Sequence, residues 1–184
     1  MGAGDGRYTL GPESGQLQIK TTRTGLGARA GHDLTIEVTR WQADVIVDAA
    51  HPSASSVSVE VDADSLEVRA GSGGVKPLTD SDRAQIKTTI QQKVLNTSRH
   101  PAITFQSKRV EGTAESFTVD GDLTITGVTQ PVTVQGRLAD GRVQGWATVV
   151  QTRWGIRPYT GFFGALKLSD EVTVEFGADL SPAG

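Results

Sequence analysis

The chain has 184 residues, of which 36% are hydrophobic, with 22 glycines and a formal net charge of −3. This length is typical of one domain, so we expect a single domain over residues 1–184. The apolar content excludes wholesale disorder, and the small, mixed charge argues against nucleic acid as a partner. No cysteine occurs, which excludes disulfides, thiolate metal sites and cysteine nucleophiles.

The N-terminal residues contain no apolar run before Tyr8, so no signal peptide is expected. No stretch approaches the roughly 18 consecutive apolar residues that a membrane-spanning helix needs. We therefore expect a cytoplasmic protein.

Alternation of apolar and polar residues recurs along most of the chain and predicts half-buried antiparallel strands. Valine, isoleucine and threonine, which favour strands, contribute 19, 8 and 21 residues. The clearest alternating runs are residues 17–19, 34–38, 41–47, 56–62, 103–105, 117–119, 123–125, 132–134, 145–149 and 172–176. Turns are predicted between strands at residues 50–53, 120–122, 126–127, 140–141 and 169–170. Eight or more short strands at this spacing indicate a sandwich or a barrel.

Residues 80–95 break this alternation and predict one helix. Ile86, Ile90 and Val94 recur every four residues, which places them on one helical face. Either Thr79 or Ser81 is suited to cap the helix start. Residues 70–74 (A-G-S-G-G) precede the helix and are typical of a flexible linker. We therefore interpret the helix as a hinged cover over part of the strands.

The sequence contains few candidates for catalysis. No G-x-S-x-G elbow and no P-loop occurs, and the three histidines show no metal-ligand spacing. We expect no catalytic residue and no metal site. His32 and Asp33 are adjacent, so an enzyme or stress-response protein with this pair in its site is the alternative. The simpler interpretation is a turn at which Asp33 caps backbone N–H groups.

Residues 152–163 combine arginines and aromatic residues. Three interpretations stay open: stacking on single-stranded nucleic acid, an apolar rim with a cation for an anionic headgroup, or a packed loop. The acidic balance of the chain disfavours the first. The segment contains Arg153, Trp154, Arg157, Tyr159, Phe162 and Phe163.

Several segments resemble the motifs of the YceI-like, polyisoprenoid-binding family. Residues 101–107 (P-A-I-T-F-Q-S) resemble its P-x-I-x-F-x-S strand, and residues 121–132 (G-D-L-T-I-T-G-V-T-Q-P-V) resemble its G-x-L-T-I-x-G-V-T-x-P-V signature. Residues 57–66 and the run from Arg153 to Ile156 give further, weaker matches. The chain departs from the family at residues 76–95, where a longer charged segment replaces its R-D-x-H-L motif.

The resemblance implies a lipocalin-like antiparallel β-barrel of about eight strands around a long apolar pocket. It also implies a non-enzymatic protein that binds, transports or stores a long-chain isoprenoid or similar amphiphilic lipid. No cofactor is expected other than such a polyisoprenoid or a quinone-like lipid. Transient membrane contact and a homodimer are further expectations.

Alternation and the resemblance together select candidate ligand-binding residues. The register of the strands rests on alternation, and a shift of one residue would turn every side chain to the other face. Arg153 and Arg157 are assigned to a polar headgroup. The full set is Ile19, Val59, Ile103, Phe105, Leu123, Ile125, Trp146, Arg153, Arg157, Phe162 and Phe176.

Overall fold

The computed structural model describes residues 5–24, 32–74, 76–161 and 166–180. Most of this part of the chain is extended, as its β-branched composition predicts. The strands are β1 (Gly6–Leu10), β2 (Gly15–Lys20), β3 (Arg23–Thr24), β4 (Asp33–Val38), β5 (Trp41–Val47), β6 (Ser56–Asp62), β7 (Leu66–Ser72), β8 (Ala102–Thr113), β9 (Ser116–Ile125), β10 (Val128–Ala139), β11 (Arg142–Val150), β12 (Thr160–Gly161), β13 (Leu166–Leu168) and β14 (Glu171–Asp179).

Eleven of these strands form one curled antiparallel sheet with the order β1-β5-β6-β8-β9-β10-β11-β14-β2-β4-β7. The remaining strands, β12, β13 and β3, form a small separate sheet. The predicted antiparallel β-barrel with one inserted helix is confirmed. The predicted number of about eight strands is wrong, because the main sheet contains eleven.

The higher number arises because three long strands are each broken in two. β1 and β2 are the two parts of one long strand, and β4 and β5 are the two parts of the strand beside it: β1 pairs with β5, and β2 pairs with β4. β6 and β7 are the two parts of the third broken strand, because β6 pairs with β5 and β7 pairs with β4. The other neighbours of the broken strands are β14, which pairs with β2, and β8, which pairs with β6. The hydrogen-bonded circuit therefore returns to its start through the broken strands.

Ser65 stabilises the break between β4 and β5. Its side chain is only 1% exposed, and its hydroxyl accepts from the Arg40 N–H at 3.0 Å. The same hydroxyl lies 2.7 Å from the Asp62 carbonyl oxygen, to which it donates. A buried hydroxyl that satisfies backbone groups lets the strand bend without orphaned polar atoms.

The predicted helix is present as α1 (Asp80–Thr89), which continues as a π-helical turn over Ile90–Val94. Thr79 caps it: its hydroxyl accepts from the Asp82 N–H, and the Asp82 carboxylate accepts from the Thr79 N–H. This reciprocal pair satisfies two of the N–H groups that a helix start leaves free. Ile86, Ile90 and Val94 pack against the core, as their spacing predicts.

The turn predictions had mixed outcomes. Thr126-Gly127 and Asp140-Gly141 form tight turns in which all four residues have positive φ, the backbone that two-residue hairpins require. The turn predicted at residues 120–122 is wrong, because these residues lie inside β9. Gly121 in a strand interior instead marks a close approach by a neighbouring side chain.

Candidate ligand-binding cavity

The barrel encloses a cavity of about 1140 Å³ whose lining is overwhelmingly apolar. Its volume exceeds the roughly 300–1,000 Å³ of ordinary small-molecule pockets. The lining extends from α1 to the turn after β5 at the opposite end of the barrel. The walls of the cavity are therefore mainly aliphatic, and they offer few hydrogen-bond partners to a polar molecule.

Many inward-facing side chains of the barrel are only partly buried. Examples are Ile19, Val59, Leu123, Val172 and Val174, which pack against the core and line the cavity. A filled core would bury such residues almost completely. These side chains line the cavity. The apolar strand faces that alternation predicted therefore form both the packed core and the wall of the cavity.

Three phenylalanine rings in this wall each pack closely against a glycine. A Cβ atom on Gly121, Gly136 or Gly145 would lie 2.5–2.7 Å from a ring carbon of Phe105, Phe117 or Phe176, respectively. Gly136 is the direct cross-strand partner of Phe117, and Gly145 that of Phe176. The missing side chains leave room for the rings at the wall, which keeps the centre of the barrel open.

Seven of the predicted site residues line this cavity. They come from five strands of the main sheet, and alternation gave their inward direction correctly. Contact with a ligand remains a prediction for each of them. These residues are Ile19, Val59, Ile103, Phe105, Leu123, Ile125 and Phe176.

The inward placement predicted for Trp146 is wrong. Its side chain is 48% exposed and lies in a shallow depression on the outer face with Thr133 and Gln135. Gly145 and Ala147, on either side of it, are buried, so the strand was read one residue out of register. The inward positions on either side of Trp146 are the small residues Gly145 and Ala147, and Phe176 packs against Gly145.

The predicted headgroup cations also lie outside the cavity lining. Arg153 and Arg157 are exposed, and the Arg153 guanidinium lies 5.5 Å from the centre of the Trp154 ring. Trp154 itself is 1% exposed, and its Nε1 donates to the Leu123 carbonyl at 2.8 Å. Gln151–Trp154 form a short 3-10 helix, and Trp154 and Ile156 are part of the core, so this segment packs onto the barrel. Phe162 and Phe163 lie outside the described residues.

Polar groups in the lining concentrate at the end that α1 covers. His32, Lys76, Asp82 and Gln85 lie there, beside Tyr159, which is 45% exposed. Sequence reasoning missed this rim because its members come from the segments around α1, where alternation gives no signal. At the opposite end the lining includes Ile46, which is 38% exposed, together with Asp48 and Ser55.

His32 and Asp33 have separate partners in the fold. The His32 Nε2 lies 2.7 Å from the Lys76 carbonyl oxygen. The Asp33 carboxylate accepts from the Arg23 N–H at 3.0 Å. His32 thus contacts the segment before α1, whereas Asp33 contacts the start of β3. The Asp33 carboxylate therefore caps a backbone N–H ten residues away on another strand, and not the local turn that the simpler interpretation predicted.

The cover formed by α1 is attached to β7 by few polar contacts. β7 lies at the end of the sheet order, and α1 packs against it. Lys87 of α1 forms an ion pair with Glu67 of β7. Hydrogen bonds from the backbone and side chain of Thr79 hold the pKa of Asp82 below its ordinary value. Gly73 and Gly74, both with positive φ, precede the helix.

Within the described residues, none of the helices is long and apolar enough to cross a membrane.

Comparisons with known proteins agree with this architecture. A family model described as YceI-like domain matches residues 8–180. A UPF0312 protein of Yersinia enterocolitica is 30% identical over 132 residues, covering 71% of this chain and 58% of the relative. A UPF0312 protein of Pseudomonas aeruginosa is 32% identical over 140 residues, covering 74% of this chain and 60% of the relative. The chain thus spans about three fifths of the length of these curated relatives.

Solved structures share the fold at low sequence identity. BcnA of Burkholderia cenocepacia has a TM-score of 0.63 at 18% identity, covering 88% of this chain and 94% of its own. A polyisoprenoid binding domain from Saccharophagus degradans, implicated in plant cell wall breakdown, has a TM-score of 0.57 at 10% identity. It covers 97% of this chain and 100% of its own.

Proposed function

Because the chain belongs to the YceI-like family, we propose that its cavity binds a long-chain isoprenoid or similar amphiphilic lipid and carries or stores it. The fold supports a lipid-binding role. The observation that carries the proposal is the cavity of about 1140 Å³ with its aliphatic lining. The binding of polyisoprenoid named for the Saccharophagus degradans domain supports the isoprenoid as ligand class.

The apolar wall supplies the binding energy in this proposal. Each buried methylene contributes roughly 0.8 kcal/mol relative to water, so a chain of several isoprene units is retained strongly. In this proposal, the seven lining residues predicted from the sequence contact the isoprene tail of the lipid. Because Arg153 and Arg157 lie outside the lining, they have no part in the proposed site.

Exchange with a membrane requires the cavity to open. A lipid tail gains little on leaving a bilayer, since the bilayer core is already apolar, so loading depends on direct contact and on access. The cover formed by α1 supplies this access, because two glycines precede it and the half-exposed Lys87–Glu67 ion pair connects it to β7. Such ion pairs contribute only about 0–1 kcal/mol. Cytoplasmic location and a homodimer stay predictions.

Extraction of lipid from the purified protein tests the proposed function. Organic extraction followed by mass spectrometry should recover an amphiphile with a long apolar tail in a fixed ratio to protein. A protein without a cavity, purified in parallel, controls for carry-over. Recovery of no amphiphile, with no rise in melting temperature on adding prenyl lipids, would exclude the proposal.

A crosslink tests α1 as the moving element. The chain has no cysteine, so Glu67→Cys with Lys87→Cys can be joined by a short bifunctional thiol reagent. Crosslinking should slow lipid exchange with vesicles at least tenfold. The matched control is Lys108→Cys with Asp122→Cys, an ion pair of 2.9 Å between β8 and β9. Equal exchange rates in both crosslinked proteins would exclude α1 as the lid.

A further inference from the structure

Trp41 carries a buried hydrogen-bond donor without a partner. Its Nε1 is the one buried side-chain nitrogen or oxygen without a hydrogen bond within the described ranges 5–24, 32–74, 76–161 and 166–180. The Nε1 of Trp154, by contrast, donates to a carbonyl at 2.8 Å. A buried indole N–H normally finds an acceptor, because an unpaired donor carries its full desolvation penalty.

The position of Trp41 relates this donor to the ligand. Trp41 is the first residue of β5, directly after the break, and its side chain lines the cavity. It packs against both apolar clusters of the interior, the larger one beneath α1 and the smaller one around Tyr8 and Leu180. The indole therefore lies in the cavity wall between the two apolar clusters.

The charges of the lining restrict what kind of group can be held there. Among the described lining residues Lys76 is the only lysine or arginine, and it is exposed at the rim. Asp48 and Asp82 are carboxylates in the same lining. A diphosphate drawn into this interior would lack the cations that a buried anion needs. An uncharged oxygen atom, by contrast, needs only one hydrogen-bond donor and no cation.

We propose that the bound lipid carries an uncharged hydrogen-bond acceptor, such as a ketone, ester or ether oxygen, and that the Trp41 indole N–H donates to it. This inference rests on the proposed function and specifies the chemistry of its ligand. Because the Trp41 Nε1 is buried, this hydrogen bond requires the indole to rotate toward the lumen when the lipid binds.

The test compares Trp41→Phe with the unaltered protein using three defined probes. The probes are geranylgeranylacetone, which is an isoprenoid ketone, the hydrocarbon in which a methylene replaces its carbonyl, and geranylgeranyl diphosphate. Phenylalanine removes the N–H and some packing area, and the hydrocarbon measures the packing loss alone. Trp146→Phe, on the outer face, is the matched control.

The unaltered protein should bind the ketone more tightly than the diphosphate. In Trp41→Phe the ratio of ketone to hydrocarbon affinity should fall roughly five- to tenfold, the effect of losing one neutral hydrogen bond. Trp146→Phe should leave the ratio unchanged. An unchanged ratio in Trp41→Phe, or tighter binding of the diphosphate, overturns this inference while lipid binding stands. If none of the probes binds, the proposed function fails as well.

Indole NMR adds a readout that packing alone would not change. With ¹⁵N-labelled tryptophan, adding the ketone should move the Trp41 indole proton downfield, whereas the hydrocarbon should not. The Trp154 signal, already hydrogen-bonded to Leu123, serves as the internal reference. Equal shifts of the Trp41 signal with ketone and hydrocarbon overturn the inference.

Discussion

The two halves of the barrel are built differently. The unbroken strands β8 to β11 and β14 form a continuous ladder in which phenylalanine rings lie over glycines. The other half consists of the three broken strands, and its last member, β7, has α1 packed against it. Both halves line the same cavity.

In the proposed function, the two halves perform different tasks. In the unbroken half each strand is paired with at least one neighbour over nearly its whole length, and the glycine–phenylalanine contacts shape the wall of the cavity. The broken half depends on Ser65 and on the cover formed by α1, whose polar attachments are few. Changes in the first half should therefore alter how much is bound, and changes in the second should alter how fast it exchanges.

The largest effect is expected for Gly145→Ala in the unbroken half. Its Cβ would lie 2.5 Å from both Phe176 Cζ and the Gln135 carbonyl oxygen, so the ring must move toward the centre of the cavity and β10 must shift away. Overpacking of this kind costs about 1–3 kcal/mol in the free energy of unfolding. We expect affinity for a prenyl lipid to fall at least fivefold, measured by fluorescence competition.

A second substitution distinguishes loss of cavity space from general damage. Phe176→Leu in the Gly145→Ala background shortens the displaced side chain and should restore the part of the affinity that the ring displacement removes, while the close contact with the Gln135 carbonyl oxygen remains. If the double variant binds no better than Gly145→Ala, displacement of the Phe176 ring is not what lowers the affinity.

A smaller effect is expected for Lys87→Ala in the broken half. It removes the ion pair between α1 and β7, and half-exposed pairs contribute about 0–1 kcal/mol. Exchange of lipid with vesicles should accelerate two- to fivefold at nearly unchanged affinity. Lys108→Ala removes a comparable pair in the unbroken half and should leave the exchange rate as it was; acceleration by both variants would contradict the division of tasks.

The smallest effect is expected from pH. Because the folded-state pKa of Asp82 is lowered by its hydrogen bonds to Thr79, its contribution to stability is present at neutral pH. That contribution is lost as the pH falls below the ordinary carboxyl range of about 4. The helix start should loosen and lipid exchange should accelerate on acidification, with a weaker pH dependence in Asp82→Ala. Identical pH profiles of the exchange rate in the unaltered protein and in Asp82→Ala would show that Asp82 does not contribute to this pH dependence.

The sequence predicted the strands and the helix because each has its own periodicity. Ile86, Ile90 and Val94 fit a helical face, and Leu123 and Ile125 fit an inward strand face. The break at Thr39 and Arg40 separates two of the predicted runs, residues 34–38 and 41–47, but the hydroxyl that stabilises it belongs to Ser65, which lies far away in the chain. β1 and β7 were not among the predicted runs. The count of about eight strands was implied by the family resemblance, and it was too low because it takes each broken strand as one.

The site was predictable only where the inward residues are large and apolar. Gly121 was predicted to lie in a turn, and Trp146 rather than Gly145 was predicted to face inward. Both predictions were wrong because the role of each glycine is set by a phenylalanine on another strand. The polar rim and the unpaired Trp41 donor follow from tertiary packing and leave no local pattern. The arginines were assigned to a headgroup from residue type alone.

The central claim is that the lipid lies inside the barrel, between the glycine–phenylalanine wall and α1. Crystallography of the protein with a prenyl lipid brominated along its tail tests it most directly, because anomalous scattering locates each bromine. The account predicts bromine peaks inside the cavity near Phe105, Phe117 and Phe176. Peaks confined to the outer face near Trp146, with none in the cavity, would contradict it.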